Sequence, residues 1–373
     1  MRSRSDRITA VAMIAPSLIL LFIFVYGFIA RTVYVSLTDW GQGAALALRP
    51  EIRFVGLHNY RELFTGLLDV RFRQDLVNMV TFTALFVAGC LAVGLLLATL
   101  IDQGIRGEGF FRTVFLFPMS LSFIVTGTVW RWLLQPRGGV NVLPTLVGLP
   151  RFEFLWTTSR EHLFGFNWQD LPAIALAGAG LAALALAARA LRRGRRRAAG
   201  VWALVAAVPG ALLASGLPAR VKLLPFPEVH GFNLALIGIV VAAVWQMSGY
   251  AMALFLAGLR GIPEELREAA RVDGCSRLQV YRYVELPLLR PIVVSAVVIL
   301  GHIAMKSFDL IVAMAGTDNA ATSVPAIHMY LTTFRGNQFA KGAAIAVMLL
   351  VLVCLVIVPY LTASLRRLRE PQS

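Results

Sequence analysis

The feature that most limits this chain is a succession of apolar runs, each long enough for a helix to cross a bilayer. A spanning helix needs roughly 20 apolar residues. The runs are Thr9–Ala30, Leu76–Ile101, Thr113–Leu134, Pro172–Leu191, Ala199–Leu217, Phe232–Leu256, Pro291–Met314 and Ala343–Leu365. Hydrophobic residues make up 58% of the 373, above the half that soluble domains carry. The expected fold is an all-α integral membrane protein of about eight spans. The first run is too long for the h-region of a cleaved signal peptide and reads as a retained span.

The net charge of +15 would suit nucleic-acid binding if the arginines covered a folded surface. Instead they cluster beside the apolar runs, as the positive-inside rule requires. Arg2, Arg4 and Arg7 precede the first run. Arg106 and Arg112 follow the second, and Arg189, Arg192, Arg193, Arg195, Arg196 and Arg197 follow the fourth. A further set from Arg260 to Arg290 follows the sixth, and Arg366, Arg367 and Arg369 follow the last. Every second loop is therefore basic, which predicts that both termini are cytoplasmic and that no nucleic acid is bound. The intervening loops carry Trp40, Tyr60, Trp156 and Trp168, suited to the outer interface.

The organisation divides into 1–140, with three spans and an external loop, 141–230, an insert, and 231–373, the C-terminal core. The insert contributes the fourth and fifth runs, rich in alanine and glycine, as closely packed membrane helices are. The competing reading, a buried hairpin of a soluble insert, would have to bury the block Arg192–Arg197.

The longest polar loop covers 259–290. Pro263 suits a first helical position, and Glu264 and Glu265 favour a first turn. Ile262, Leu266, Ala269 and Ala270 share one face. Glu264 with Arg267, and Glu268 with Arg271, are spaced to pair on the other. Gly274 is placed to end the helix in the left-handed conformation, and Ser276 to cap the next one. Such an amphipathic helix fits a partner's groove or serves as a plain connector; local physics leaves both open.

Glu268-Ala269-Ala270, three residues, Gly274, nine residues, then Val284-Glu285-Leu286-Pro287 resembles the EAA signature of binding-protein-dependent ABC importer permeases. Its spacing is complete, with Val284 where isoleucine is commoner. The resemblance implies a six-span permease core with the two insert spans added. It implies that this loop is the coupling helix, docked on a separate ATPase. Glu264, Leu266, Glu268, Ala269, Ala270, Asp273, Gly274, Leu286 and Pro287 are the residues assigned to that contact. Phe54-Val55-Gly56-Leu57 with Asn59-Tyr60 and Leu63-Phe64 resembles the segment after the first span of MalF-type sugar permeases. Phe111-Arg112-Thr113 with Phe117-Pro118, and Ser307-Phe308-Asp309-Leu310-Ile311, resemble two others. The resemblance spans most of the chain outside about 141–227.

No Walker A pattern occurs, so the chain is expected to hold no cofactor, with ATP–Mg on the partner ATPase dimer. No metal spacing and no nucleophile elbow occur either, so the chain is not expected to be an enzyme. The resemblance further implies a second permease subunit, a soluble substrate-binding protein, surrounding lipid, a sugar substrate and the bacterial inner membrane.

Polar groups at membrane depth are default functional candidates. Gln246, Ser248 and Tyr250 lie in the sixth run; His302, Lys306, Phe308 and Asp309 lie in the seventh. They offer an aromatic face and hydroxyl partners for a sugar. Lys306 and Asp309 are also spaced to neutralise each other. Two other functions compete: a permease for a non-sugar solute such as polyamine, phosphate or amino acid, and an ion-coupled secondary transporter. The first conflicts with the sugar-permease segments. The second leaves the 259–290 loop unexplained and lacks repeated halves.

Overall fold

The computed structural model describes residues 4–41, 52–224 and 226–369. Arg2 lies outside them, as do the side chains of Arg4, Arg7, Arg366, Arg367 and Arg369. Among the described residues, six helices are long and apolar enough to cross a membrane, or eight if two bent pairs each count as one span. The main helices are α1 (Val11–Ser36), α2 (Val70–Ile101), α3 (Glu108–Leu116), α4 (Phe123–Leu133), α5 (Leu171–Arg192) and α6 (Arg196–Ala214). They continue with α7 (Ala235–Arg260), α8 (Glu264–Val272), α9 (Arg290–Met305), α10 (Asp309–Ala315), α11 (Pro325–Tyr330) and α12 (Phe339–Arg369).

Two of the expected spans are broken. The third bends by 99° between Glu108–Ser120 and Phe123–Leu133. Pro118 and the extended backbone at Leu121 and Ser122 interrupt the ladder. The Ser122 side chain then caps α4 by accepting from the Val125 amide at 3.3 Å. The seventh does not run to Met314. It ends at Met305, and the chain restarts at Asp309 after Phe308, whose φ/ψ of −130/−59 is non-helical.

The chain forms two compact units. The larger joins the residues up to Leu63, Arg71–Glu161 and the residues from Asn233 onward. Its core is α7, whose face Leu236, Ile239, Ala243, Met252 and Phe255 is buried. Small residues allow close helix approach where lipid gives no hydrophobic drive. A Cβ on Gly94 of α2 would come within 2.8 Å of the Met252 amide, and one on Gly249 would overlap the Phe115 carbonyl.

A polar cluster ties α2 to the loop before α11. Buried Asn78 donates to the Ser323 carbonyl at 2.8 Å, and its oxygen accepts from Asn233 at 2.8 Å and Gln74 at 2.9 Å. Asn78→Ala would leave the buried Asn233 amide short of a partner. Thermal unfolding in detergent should show roughly 1–3 kcal/mol of lost stability, with the helical circular dichroism unchanged.

The smaller unit contains Phe64–Val70 and His162–Phe232. Here α5 and α6 pack along each other as a hairpin. The all-α expectation is modified by a two-stranded sheet, β1 (His162–Asn167) with β2 (Val229–Asn233), the aromatic-rich segments before and after the hairpin.

Candidate functional site

Helix α8 has no buried residue. Leu266 is 45% exposed and Val272 87%. Burial therefore does not hold this helix; its ends and its charges do. At its C-terminus the Cys275 amide donates to the Ala270 carbonyl, and the Gly274 amide to that of Arg271, both at 3.0 Å. These two bonds are the Schellman closure, and they require Gly274 to sit at φ +83. Ser276 then opens the next short helix with a capping box, its amide donating to Gln279 Oε1 at 2.7 Å. At the other end Pro263, expected at the first helical position, is the N-cap instead, with ψ 132.

The charges converge on Arg267. Its guanidinium lies 3.2 Å from Asp102, just past the end of α2, and 3.0 Å from Glu285. It also meets Glu264 at 3.4 Å and donates to the Leu259 carbonyl of α7 at 2.9 Å. Arg260 extends the network to Glu108 of α3 at 2.7 Å and to Asp102 at 3.8 Å. One side chain of α8 is thus wired to the ends of α2 and α7 and to the segment entering α9. Arg271, expected to pair with Glu268, reaches back to Glu264 at 2.8 Å instead. Glu268, Ala269 and Asp273 stay exposed, and Ala270, Leu286 and Pro287 are half-buried.

The expected substrate-path residues do not form one group. Lys306 and Phe308 line a cavity of about 620 Å³ together with His302, Met329 and Tyr330. Tyr330 stands edge-on to Phe308, ring centres 5.5 Å apart. His302 Nδ1 is buried without a hydrogen-bond partner among the described residues. Asp309 is exposed, is not among the residues lining that cavity, and forms no ion pair with Lys306 among the described residues. The α7 residues have other surroundings. Gln246 is buried and donates to the Leu121 carbonyl at 2.8 Å, satisfying the group freed by the α3–α4 break. Ser248 contacts its own helix at Trp245, and Tyr250 is half-buried. Sequence reasoning missed Tyr330 because its short helix is not part of a long apolar run. It missed the role of Asp102 because nothing local marks it.

Residues 90–369 match the family described as binding-protein-dependent transport system inner membrane component. The chain is 33% identical to a probable ABC transporter permease protein of Pyrococcus horikoshii, across 97% of both chains. It is 30% identical to the xylose/arabinose import permease protein XacH of Haloferax volcanii, covering 92% of this chain and 84% of that one. Its fold is similar to a chain of the bacterial ABC transporter that imports the acidic polysaccharide alginate, with a TM-score of 0.63 at 18% identity over 98% of each chain.

Proposed function

The chain belongs to the family of binding-protein-dependent inner-membrane transport components, and from that premise we propose that it is the permease subunit of an ATP-driven sugar importer. It is a multi-pass inner-membrane protein. The sugar assignment draws on its xylose/arabinose-importing relative, together with the sugar-permease segments around Phe54 and Asp309. The observation that carries the mechanism is the uncovered α8 joined through Arg267 to the ends of α2 and α7.

A partner ATPase would seat α8 in a groove, covering Leu266, Ala269 and Ala270 on one face and reaching Glu268 on the other. ATP–Mg would stay on that partner, in keeping with a sequence that carries no Walker A pattern. Closure of the ATPase dimer displaces α8, and the Arg267 cluster carries the displacement to α2 and α7 as a rigid-body motion. The spans then rock between inward and outward access. A soluble binding protein delivers the sugar, and a second permease subunit completes the path. Phe308 and Tyr330 offer aromatic faces to a sugar ring, and Lys306 and His302 offer polar partners.

Leu266→Asp places a charge on the docking face of an exposed helix, where it leaves the fold intact. Co-purification of the ATPase should fall by more than tenfold, and uptake of labelled pentoses and oligosaccharides into proteoliposomes should fall with it. Undiminished ATPase capture by this variant would defeat the docking assignment. Uptake of polyamine or phosphate in place of sugar by the intact complex would defeat the substrate class.

A further inference from the structure

The turn between α5 and α6 carries Arg189, Arg192, Arg193, Arg195, Arg196 and Arg197, all exposed. No acidic residue occurs between Leu171 and Ala214, and among the described residues no ion pair involves these six. The contrast with the other arginine-rich segment is sharp. There Arg260, Arg267 and Arg271 are each matched to carboxylates. Uncompensated charge at this density repels itself, and part of it sits where a helix disfavours it. Arg196 and Arg197 occupy the first turn of α6, whose dipole is positive there. Arg189 and Arg192, in the last turn of α5, sit where a helix favours them, so the dipoles give the cluster as a whole no consistent support.

Nor is it a loose tail. The Arg195 amide donates to the Ala190 carbonyl and the Gly194 amide to that of Leu191, both at 2.9 Å, with Gly194 at φ +71. This second Schellman closure fixes the arginines on a rigid tip. The walls below the tip are apolar and open: Leu184 and Leu191 on α5, and Val201, Leu204 and Val208 on α6, are mostly exposed. At 1.5 Å per residue, helices of 22 and 19 residues reach about 33 and 28 Å, the thickness of the hydrocarbon core. Set across a bilayer, helices of these lengths put the tip at headgroup level and turn the walls beneath it toward lipid.

We propose that this arginine tip is a binding site for anionic phospholipid, the guanidinium groups gripping headgroup phosphates while the acyl chains lie along α5 and α6. Guanidinium forks match phosphate oxygens in bidentate geometry, and four to eight basic residues at a helix end suit anionic lipid. A protein with an acidic surface is the rival occupant. The open apolar walls favour lipid, because they continue the site into the region where chains run.

Trp202 lies on α6 six residues into the helix and is 38% exposed, so it reports chains held under the tip. The full chain is purified and placed in nanodiscs containing phosphatidylglycerol or phosphatidylcholine with brominated acyl chains. Tryptophan quenching should be stronger with the anionic lipid. The excess should vanish in Trp202→Phe and in the fourfold variant R192Q/R193Q/R195Q/R196Q, and should survive when the same four become lysine in weakened form. Raising the salt from low to near-molar should abolish it in the unaltered protein, a reading that needs no variant. Equal quenching by the two lipids overturns the site, as does an excess that persists in Trp202→Phe. Loss of a co-purifying protein in the fourfold variant, with quenching unchanged, would assign the tip to a protein partner and likewise overturn it.

Discussion

Replacing Arg267 with alanine should slow transport roughly 30-fold while leaving α8 closed at its ends. The guanidinium is only 15% exposed, and its three carboxylate partners come from the end of α2, from the start of α8 and from the segment before α9. Removing it leaves Asp102 and Glu285, each about 15% exposed, as neighbouring negative charges with no shared cation. Loss of one partner of a fully buried ion pair costs several kcal/mol; allowing for water at this site, about 2 kcal/mol is appropriate. A displacement of α8 would then be absorbed locally, as the connection to α2 rests on this side chain. If that energy is lost from the coupled step, uptake slows roughly 30-fold. The ATPase should still co-purify, since Leu266 and the alanine face are untouched, and its hydrolysis should no longer respond to the binding protein. Arg267→Lys should restore only part of the coupling, because an ammonium cannot span two carboxylates with a planar fork. Uptake at the unaltered rate in the alanine variant would remove Arg267 from the transmission path. Loss of ATPase capture would make it a docking residue instead.

What the sequence made legible and what it hid follow from how far each interaction reaches along the chain. The spans were readable because each is set by its own apolar run: α5, α6, α7 and α12 fall within four residues of the expected bounds, and α2 ends where expected but starts six residues earlier, at Val70. The turn after α8 was readable because a glycine at that place has one main use. The breaks were harder. Both breaks lie inside runs that stay mostly apolar, interrupted only by Ser120 and Ser122 in the first and by Lys306 and Ser307 in the second, and hydropathy does not report whether the backbone ladder is intact. At the first break the freed Leu121 carbonyl is satisfied by Gln246, 125 residues away. Gln246 therefore looked like a substrate group when read as an isolated amide in a span. The Arg267 cluster was hidden in the same way. Its spacing to Glu264 is local, but Asp102 lies 165 residues earlier. Charge periodicity also misassigned Arg271, since it weighs partners three or four residues away and overlooks Glu264, two turns back on the same helix.

Gly274→Pro should eliminate transport altogether, and a graded series at this position tests why. The native φ of +83 lies far from the roughly −65° that a pyrrolidine ring imposes. Proline also deletes the amide that donates to the Arg271 carbonyl, and it disfavours the helical-side conformation of Asp273, at φ −70 and ψ 4, before it. Both halves of the Schellman closure are then lost, and the chain leaving α8 can no longer turn toward Ser276. Space is not the constraint, because a Cβ on Gly274 would meet no atom within 4 Å. Alanine should therefore cost only the left-handed backbone penalty, about 1–2 kcal/mol. Asparagine, which tolerates that region better, should cost less. Binding-protein-stimulated ATPase activity should accordingly rank glycine, asparagine, alanine, proline, with proline at the unstimulated level and helix content by circular dichroism unchanged across the series. If alanine were as inactive as proline, the open space around Gly274 in the isolated chain would have to be filled by the docked ATPase. The glycine would then be required for close approach to the partner. Full activity in the proline variant would mean that the turn does not carry the coupling motion, and the transmission path through α8 would have to be abandoned.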